Sequence, residues 1–350
     1  MKEIVSLFTC TIFFCLPVLS QTYRGQDTAP DTLRYHNGST YIGFIQSGHF
    51  HGQGTLFNTF GDTLYSGQLA HGKKHGHGVY HFKNGNRYRG EWRANQMHGF
   101  GAMDYYTGDT FEGDWVRDKR HGRGVYIFAD GTRYEGQFQQ GFIQGEGQLT
   151  HGTTSYIGSF VKGQKQGMGY QVITGADFME EYRGQFARGT YNGQGTWKYQ
   201  LGDQKTEYIG NWRNGKRIGK GTYLINGRKL VGIWRENQAS GNGTCLSNIG
   251  LYEGAFLRTF YHGQGKMAYK SGEIYIGHWE RGKRQGAGIL YYQDGRFFEG
   301  NWHMDQPIGT GTMYYPDGLK EIGQFKGDRW VRNRALLPSD TLSVKTQSRD

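Results

Sequence analysis

Three segments of this chain carry the spacing of a phosphate-binding loop. Gly210–Lys216, Gly277–Lys283 and Gly67–Lys73 each place two glycines and a lysine as Gly-x4-Gly-Lys, the arrangement in which backbone N–H groups cradle phosphates and the lysine reaches the terminal ones. Each is followed by Arg217, Arg284 or Lys74, where magnesium chemistry needs Ser or Thr. A second chemistry is suggested by His51, His75, His98, His121 and His262, which all stand immediately before a Gly-x-Gly. Regularly spaced imidazoles are a metal-ligand pattern or a pH-sensitive edge. A third lies in the basic doublets Lys73–Lys74, Lys119–Arg120, Lys216–Arg217 and Lys283–Arg284. With a net charge of +11, they predict a positive stripe suited to an anionic lipid surface or acidic polymer. The plainer reading of the stripe is a solvated edge that opposes aggregation.

All three patterns fall at fixed places in a repeat. An aromatic-x-Gly-x-aromatic segment is followed by Gly-x-Gly, and the two marker glycines stand 11 residues apart in twelve pairs, from Gly43 and Gly54 to Gly300 and Gly311. The distance back to the next pair varies from 11 to 15 residues. Half of the unit is therefore rigid in length and half is not, as in a repeat array rather than a globular enzyme core. The repeat accounts for the loop-like glycines, which lie in predicted hairpins with no helix N-terminus to receive a phosphate. It also weakens the metal reading. Neighbouring histidine copies would sit ~9.6 Å apart, whereas zinc needs donors at ~2.0–2.1 Å. The column continues as Gln144, Gln166 and Asn192, so a turn-capping hydrogen bond is expected there. No metal, cofactor or catalytic constellation is expected. Gly-x-Ser-x-Gly and His-Glu-x-x-His are both missing from the sequence.

The elements that position these residues follow from alternation along a strand. Phe111, Gly113 and Trp115 share one face of a first strand; Gly122, Gly124, Tyr126 and Phe128 share one face of a second. Folded antiparallel, Gly113 faces Gly124, Trp115 faces Gly122 and Phe111 faces Tyr126, so each ring packs over bare backbone. Ala129-Asp130-Gly131, Lys83-Asn84-Gly85, Gln293-Asp294-Gly295 and Pro316-Asp317-Gly318 supply turns. The other link, Val116–His121, is expected to be a six-residue turn. Length changes at Ile173–Glu181 and Gln200–Glu207 are expected to fall in the Asp-Gly link. The fold class is all-β: an elongated, twisted and curled single-layer antiparallel meander of tandem hairpins, on the order of 120 Å long.

These residues resemble the MORN repeat (membrane occupation and recognition nexus). Its pattern is matched closely by Tyr275–Gly288, Tyr88–Gly101 and Tyr208–Gly221, and the resemblance covers roughly residues 33–330. Ile45, Leu69 and Leu230 depart from the aromatic columns. The resemblance implies a hairpin ribbon used as a scaffold or interaction surface, and some members of the family are credited with binding acidic phospholipids. Family members also occur fused to enzymes, but no room for such a domain exists in this chain.

The ends are read separately. Met1–Ser20 has Lys2 and an apolar run from Ile4 to Leu19. That is short for a spanning helix, which needs ~20 residues, so a cleaved signal peptide is expected, with an uncleaved anchor as the alternative. Export would remove Cys10 and Cys15 and leave Cys245, a small residue in a core column. Residues 21–32 are a lead-in, 33–330 the array and 331–350 a disordered polar tail. Asn37 and Asn242 head glycosylation sequons.

The functional expectation is an exported, non-catalytic scaffold. Trp92, Trp115, Trp212, Trp234, Trp279 and Trp302 form one column beside Tyr88, Phe111, Tyr208, Tyr252, Tyr275 and Phe298. A partly open aromatic strip of this kind is a groove for a protein partner or a self-association seam. The alternative is a peripheral membrane module held by Lys73, Lys74, Lys119, Arg120, Lys216, Arg217, Lys283 and Arg284. Nucleic acid is not expected as a partner.

Overall fold

A computed structural model of the protein describes residues 30–326 and 329–336. These residues form a single antiparallel sheet of 28 strands, each paired with the next along the chain except that Arg228–Arg235 pairs with both Gln238–Ala239 and Gly241–Leu246. The opening strand, Asp31–Arg34, and the closing strand, Arg329–Leu336, each pair on one side only. The sheet is therefore an open ribbon, all-β, with no helix among the described residues. The expected signal peptide lies outside the described residues. The expected tail does not begin at residue 331, because the closing strand runs to Leu336; residues 337–350 lie outside the described part.

The marker glycines pair with one another on both sides. Gly113 faces Gly124 within its hairpin and Gly101 in the preceding one. The same pairing repeats across most of the ribbon and leaves a trough of backbone without side chains. A Cβ placed on Gly113 would come within 2.5 Å of the Gly124 Cα. Large rings can lie flat in such a trough, which is why one sheet layer suffices to bury them.

Register departs from expectation beyond that rung. Phe111 does face Tyr126, but Trp115 faces Arg120, not Gly122. The second strand bulges after Gly113, with Gly122 in the left-handed region at φ 54°, a conformation that glycine adopts without steric cost. The supposed six-residue link is then a two-residue turn at Arg117 (φ 49°) and Asp118 (φ 65°). Two positive φ angles make a type I′ turn, whose twist matches that of paired strands.

The longer units also differ from expectation. Their extra residues extend the strands rather than the turn. Thr190–Leu201 has 12 residues, and its pairing continues to Leu201 opposite Gln204. Added residues with alternating side chains gain ladder bonds, so the hairpin lengthens.

At the far end, Glu321 replaces the usual ring. It is 8 % exposed and accepts from Tyr315 Oη (2.7 Å), Trp330 Nε1 (3.1 Å) and Arg332 Nη1 (3.0 Å). Those bonds hold the carboxyl below the usual carboxylate range, the Tyr315 bond being the largest cause. A buried charge satisfied in this way caps the stack with a polar group.

Candidate functional site

The inner face is built from three interlocked side-chain columns. The first is the tyrosine column. Tyr88 lies across Gly90 and Gly101, and its hydroxyl donates to the Glu91 carbonyl at 2.9 Å. Tyr134, Tyr208, Tyr252 and Tyr275 make the same bond three residues ahead, at 2.8–3.2 Å. Burial raises these phenols: Tyr134, Tyr208 and Tyr252 are pushed up to about 12. The second column is tryptophan. Trp115 stands edge-on to Phe111 (5.2 Å) and to Tyr88 of the previous unit (5.4 Å), a favourable aromatic geometry. All six expected tryptophans donate Nε1 to a glycine carbonyl one unit back, at 3.0–3.4 Å.

The third column lies over the tyrosine rings. Phe50, Tyr191 and Tyr261 stack on Tyr41, Tyr182 and Tyr252 at 3.7–3.9 Å. The second residue of each basic doublet occupies the same position. Lys74 Nζ is 3.7 Å from the Tyr80 ring centre and 4.1 Å from that of Trp92. Arg120 sits over Tyr126 (4.7 Å), Arg217 over Trp234 (4.8 Å) and Arg284 over Trp302 (4.1 Å). Each such contact is a cation–π interaction. The three arginines also donate Nη2 to the next turn, at the Gly141, Asn237 and Asp305 carbonyls. Desolvation lowers Lys74 to about 8, against a smaller opposing effect of Asp118.

Two expectations are corrected by this geometry. The twelve aromatic residues of the expected binding strip do lie together, but none is more than 6 % exposed. They are the core of the ribbon, closed by their own stacking and by the column above. The basic stripe is also halved. Lys73, Lys119, Lys216 and Lys283 are exposed, whereas Lys74, Arg120, Arg217 and Arg284 are partly buried over rings. Lys216 further pairs with Glu236, and Lys283 with Asp305.

The remaining candidates are quickly placed. The loop-like Gly215 and Lys216 belong to a tight turn with φ 49° at Asn214 and 75° at Gly215, which is no phosphate cradle. No group of three metal-binding side chains occurs among the described residues. Of the histidine column, Gln144 and Gln166 do cap turns, accepting from the Lys162 and Arg188 N–H groups at 3.1 and 3.2 Å. Cys245 is fully buried, and Asn37 and Asn242 are both exposed.

The family model for the MORN repeat matches eleven segments: 65–87, 88–110, 111–133, 134–153, 156–172, 182–204, 208–227, 231–251, 252–274, 275–295 and 298–320. Together they cover more than half of the chain. The chain belongs to the MORN repeat family. No curated protein matches it. The unit before the first matched MORN segment has the same geometry: Gly43 faces Gly54, and Tyr41 Oη donates to the Phe44 carbonyl at 2.9 Å.

The outer face of the MORN ribbon was not singled out from the sequence, and it is uneven. One row of side chains crosses it strand by strand. Between Arg87 and Lys229 the row mixes charged and apolar residues, including the pairs Arg87–Asp104 and Lys198–Glu207. From Leu246 it runs through Leu251, Ala268, Ile274, Tyr291, Phe297 and Tyr314, each opposite the next, and it is bounded by Lys229 and Lys320. The signal lay in the residue before each tyrosine-column position, which lines the opposite face.

Proposed function

We propose that this chain is a non-catalytic MORN scaffold that docks a protein partner through the outer face of its C-terminal units. The observation that carries the reading is the row from Leu246 to Tyr314, seven apolar residues on seven adjacent strands. Phe297 and Tyr314 stack at 4.3 Å within it. At ~4.8 Å per strand the row is about 30 Å long, comparable to the apolar centre of a protein interface. The inner face is less suited to this role, because its rings are already used by the fold. We also read the chain as exported by its first 20 residues, which N-terminal sequencing of the mature protein would test.

Tyr291→Asp with Phe297→Asp changes only this outer row. Cross-linking and pull-down of the mature protein should lose its partner in that variant while the melting transition is kept. Retention of the same partner would count against the outer face. Loss of a homodimer by light scattering would make the partner a second copy. The lipid alternative rests on the exposed lysines, and it requires binding to anionic vesicles that falls with salt.

A further inference from the structure

Apart from Trp234, one unit lacks the rings that fill the others. Leu230 replaces the tyrosine over the trough, Ala239 replaces the residue stacked above it, and Cys245 and Ser247 stand where the next unit has Met267 and Tyr269. Leu230, Ala239 and Cys245 are themselves covered, with Arg228 lying against Cys245, and the notch that stays open is at Ser247. A cavity of about 430 Å³, open to solvent, lies there, lined among others by Arg228, Ser247, Ile249, Phe260 and Tyr261. That volume falls in the ~300–1,000 Å³ range of small-ligand sites.

Arg228 is the distinctive group. It is partly buried, and its Nε donates to the Cys245 Sγ at 2.9 Å. Its guanidinium lies 5.9 Å from the centre of the Tyr261 ring. Among the described residues no carboxylate pairs with Arg228. Elsewhere on this face Arg120, Arg217 and Arg284 reach over to the next turn. Arg228 lines the notch instead. Beside it, Ile249 and Phe260 are 51 % and 56 % exposed. A guanidinium fork matches a carboxylate bidentately, and more strongly where water is partly excluded. The adjoining apolar side chains would cover a hydrocarbon stem.

We propose that this notch binds a small monocarboxylate on an apolar stem, with Arg228 holding the carboxylate and Ile249, Phe260 and the Tyr261 ring holding the stem. The site is on the inner face and stands independently of the docking row on the outer one. The test is calorimetric titration of the full chain with octanoate, with octanamide, acetate and inorganic phosphate as comparators. Octanoate should bind saturably and more tightly than all three. Arg228→Gln should weaken it about ten- to a hundredfold, as expected for losing a charged hydrogen-bond pair. Ser247→Tyr, which puts into the notch the ring that the next unit carries at Tyr269 and keeps the arginine, should weaken it as much, and it decides the matter if the first variant misfolds. Absence of saturable octanoate binding, equal binding of acetate or phosphate, or full binding by Ser247→Tyr would each overturn the proposal.

Discussion

Trp115 donates its indole N–H to the carbonyl of Gly101, 3.0 Å away, and so it is structurally part of the unit before its own. The ring packs edge-on to Tyr88 of that same unit. Each tryptophan is therefore a fastener between repeats rather than a contact inside its hairpin. In a linear array, stability depends on such nearest-neighbour terms.

Replacing Trp115 separates the bond from the packing. Trp115→Phe keeps most of the ring and loses the donor, at a cost of about 1 kcal/mol. Trp115→Ala should cost about 3–5 kcal/mol through the void left behind. Urea unfolding of both variants measures the two values. Equal destabilisation would mean that the hydrogen bond, and not ring volume, does the fastening.

The glycine trough gives a paired prediction. A Cβ on Gly101 runs into the Tyr88 hydroxyl and ring, so Gly101→Ala should cost about 1–3 kcal/mol. Gly232 occupies the equivalent trough, but Leu230 replaces the ring, and the nearest atoms to a new Cβ lie at 3.6–3.9 Å. Gly232→Ala should leave stability unchanged or raise it by up to ~1 kcal/mol, since alanine reduces the freedom of the unfolded chain. Comparable melting temperatures for the two variants would contradict the ring-on-glycine account.

Much of this was legible in the sequence, for a definite reason. The fixed 11-residue offset set the glycine rung, and alternation placed Phe111 opposite Tyr126. What was not legible depended on one backbone choice at Gly122. A glycine read as an ordinary strand residue gives a six-residue link. A glycine in the left-handed region gives a bulge and a two-residue turn. That bulge also moves Arg120 from the edge to a place opposite Trp115, so half of the basic stripe was misassigned with it. The burial of the aromatic strip was missed for a related reason. Whether rings stand open or lie flat depends on the residue above them, and the sequence does not say that Lys74 or Arg284 fills that place.

Alkaline pH should melt the array over a defined window. Tyr134, Tyr156, Tyr208 and Tyr252 are raised to about 12, chiefly by burial, while phenols in an unfolded chain titrate near 10. A raised folded value means that the stabilisation is complete below about pH 10 and is lost as pH rises towards about 12. The share of phenolate absorbance that belongs to these buried tyrosines should therefore appear late and together with loss of strand signal by circular dichroism. Complete phenolate formation near pH 10 with the sheet intact would contradict the burial.

Asp118 ties one tight turn to the unit before it. Its Oδ1 accepts from the Met97 N–H at 2.8 Å, and its own N–H donates to the Met97 carbonyl at 3.1 Å. Asn95, Asn237 and Asp305 repeat the side-chain bond on Lys74, Arg217 and Arg284. Asp118→Asn keeps an acceptor and should be near neutral. Asp118→Ala loses it and places alanine at φ 65°, for a cost of about 1–3 kcal/mol. Urea midpoints decide between the two. A neutral alanine variant would show that the backbone bond alone couples the turns.

The two members of a basic doublet should respond oppositely to charge reversal. Lys283 is 54 % exposed and its ion pair with Asp305 lies at the surface, where such pairs contribute about 0–1 kcal/mol. Lys283→Glu should therefore fold normally, and it is the correct probe of any anionic lipid binding. Arg284 is 19 % exposed, rests on the Trp302 ring, and donates to the Asp305 carbonyl at 2.8 Å. Arg284→Glu would put a carboxylate against an aromatic face beside Asp305, at a cost of about 3–5 kcal/mol. Thermal unfolding should separate the two variants clearly. A vesicle-binding loss seen only with Arg284→Glu would then report unfolding of the unit, whereas a loss with Lys283→Glu at unchanged melting temperature would implicate the charged edge itself.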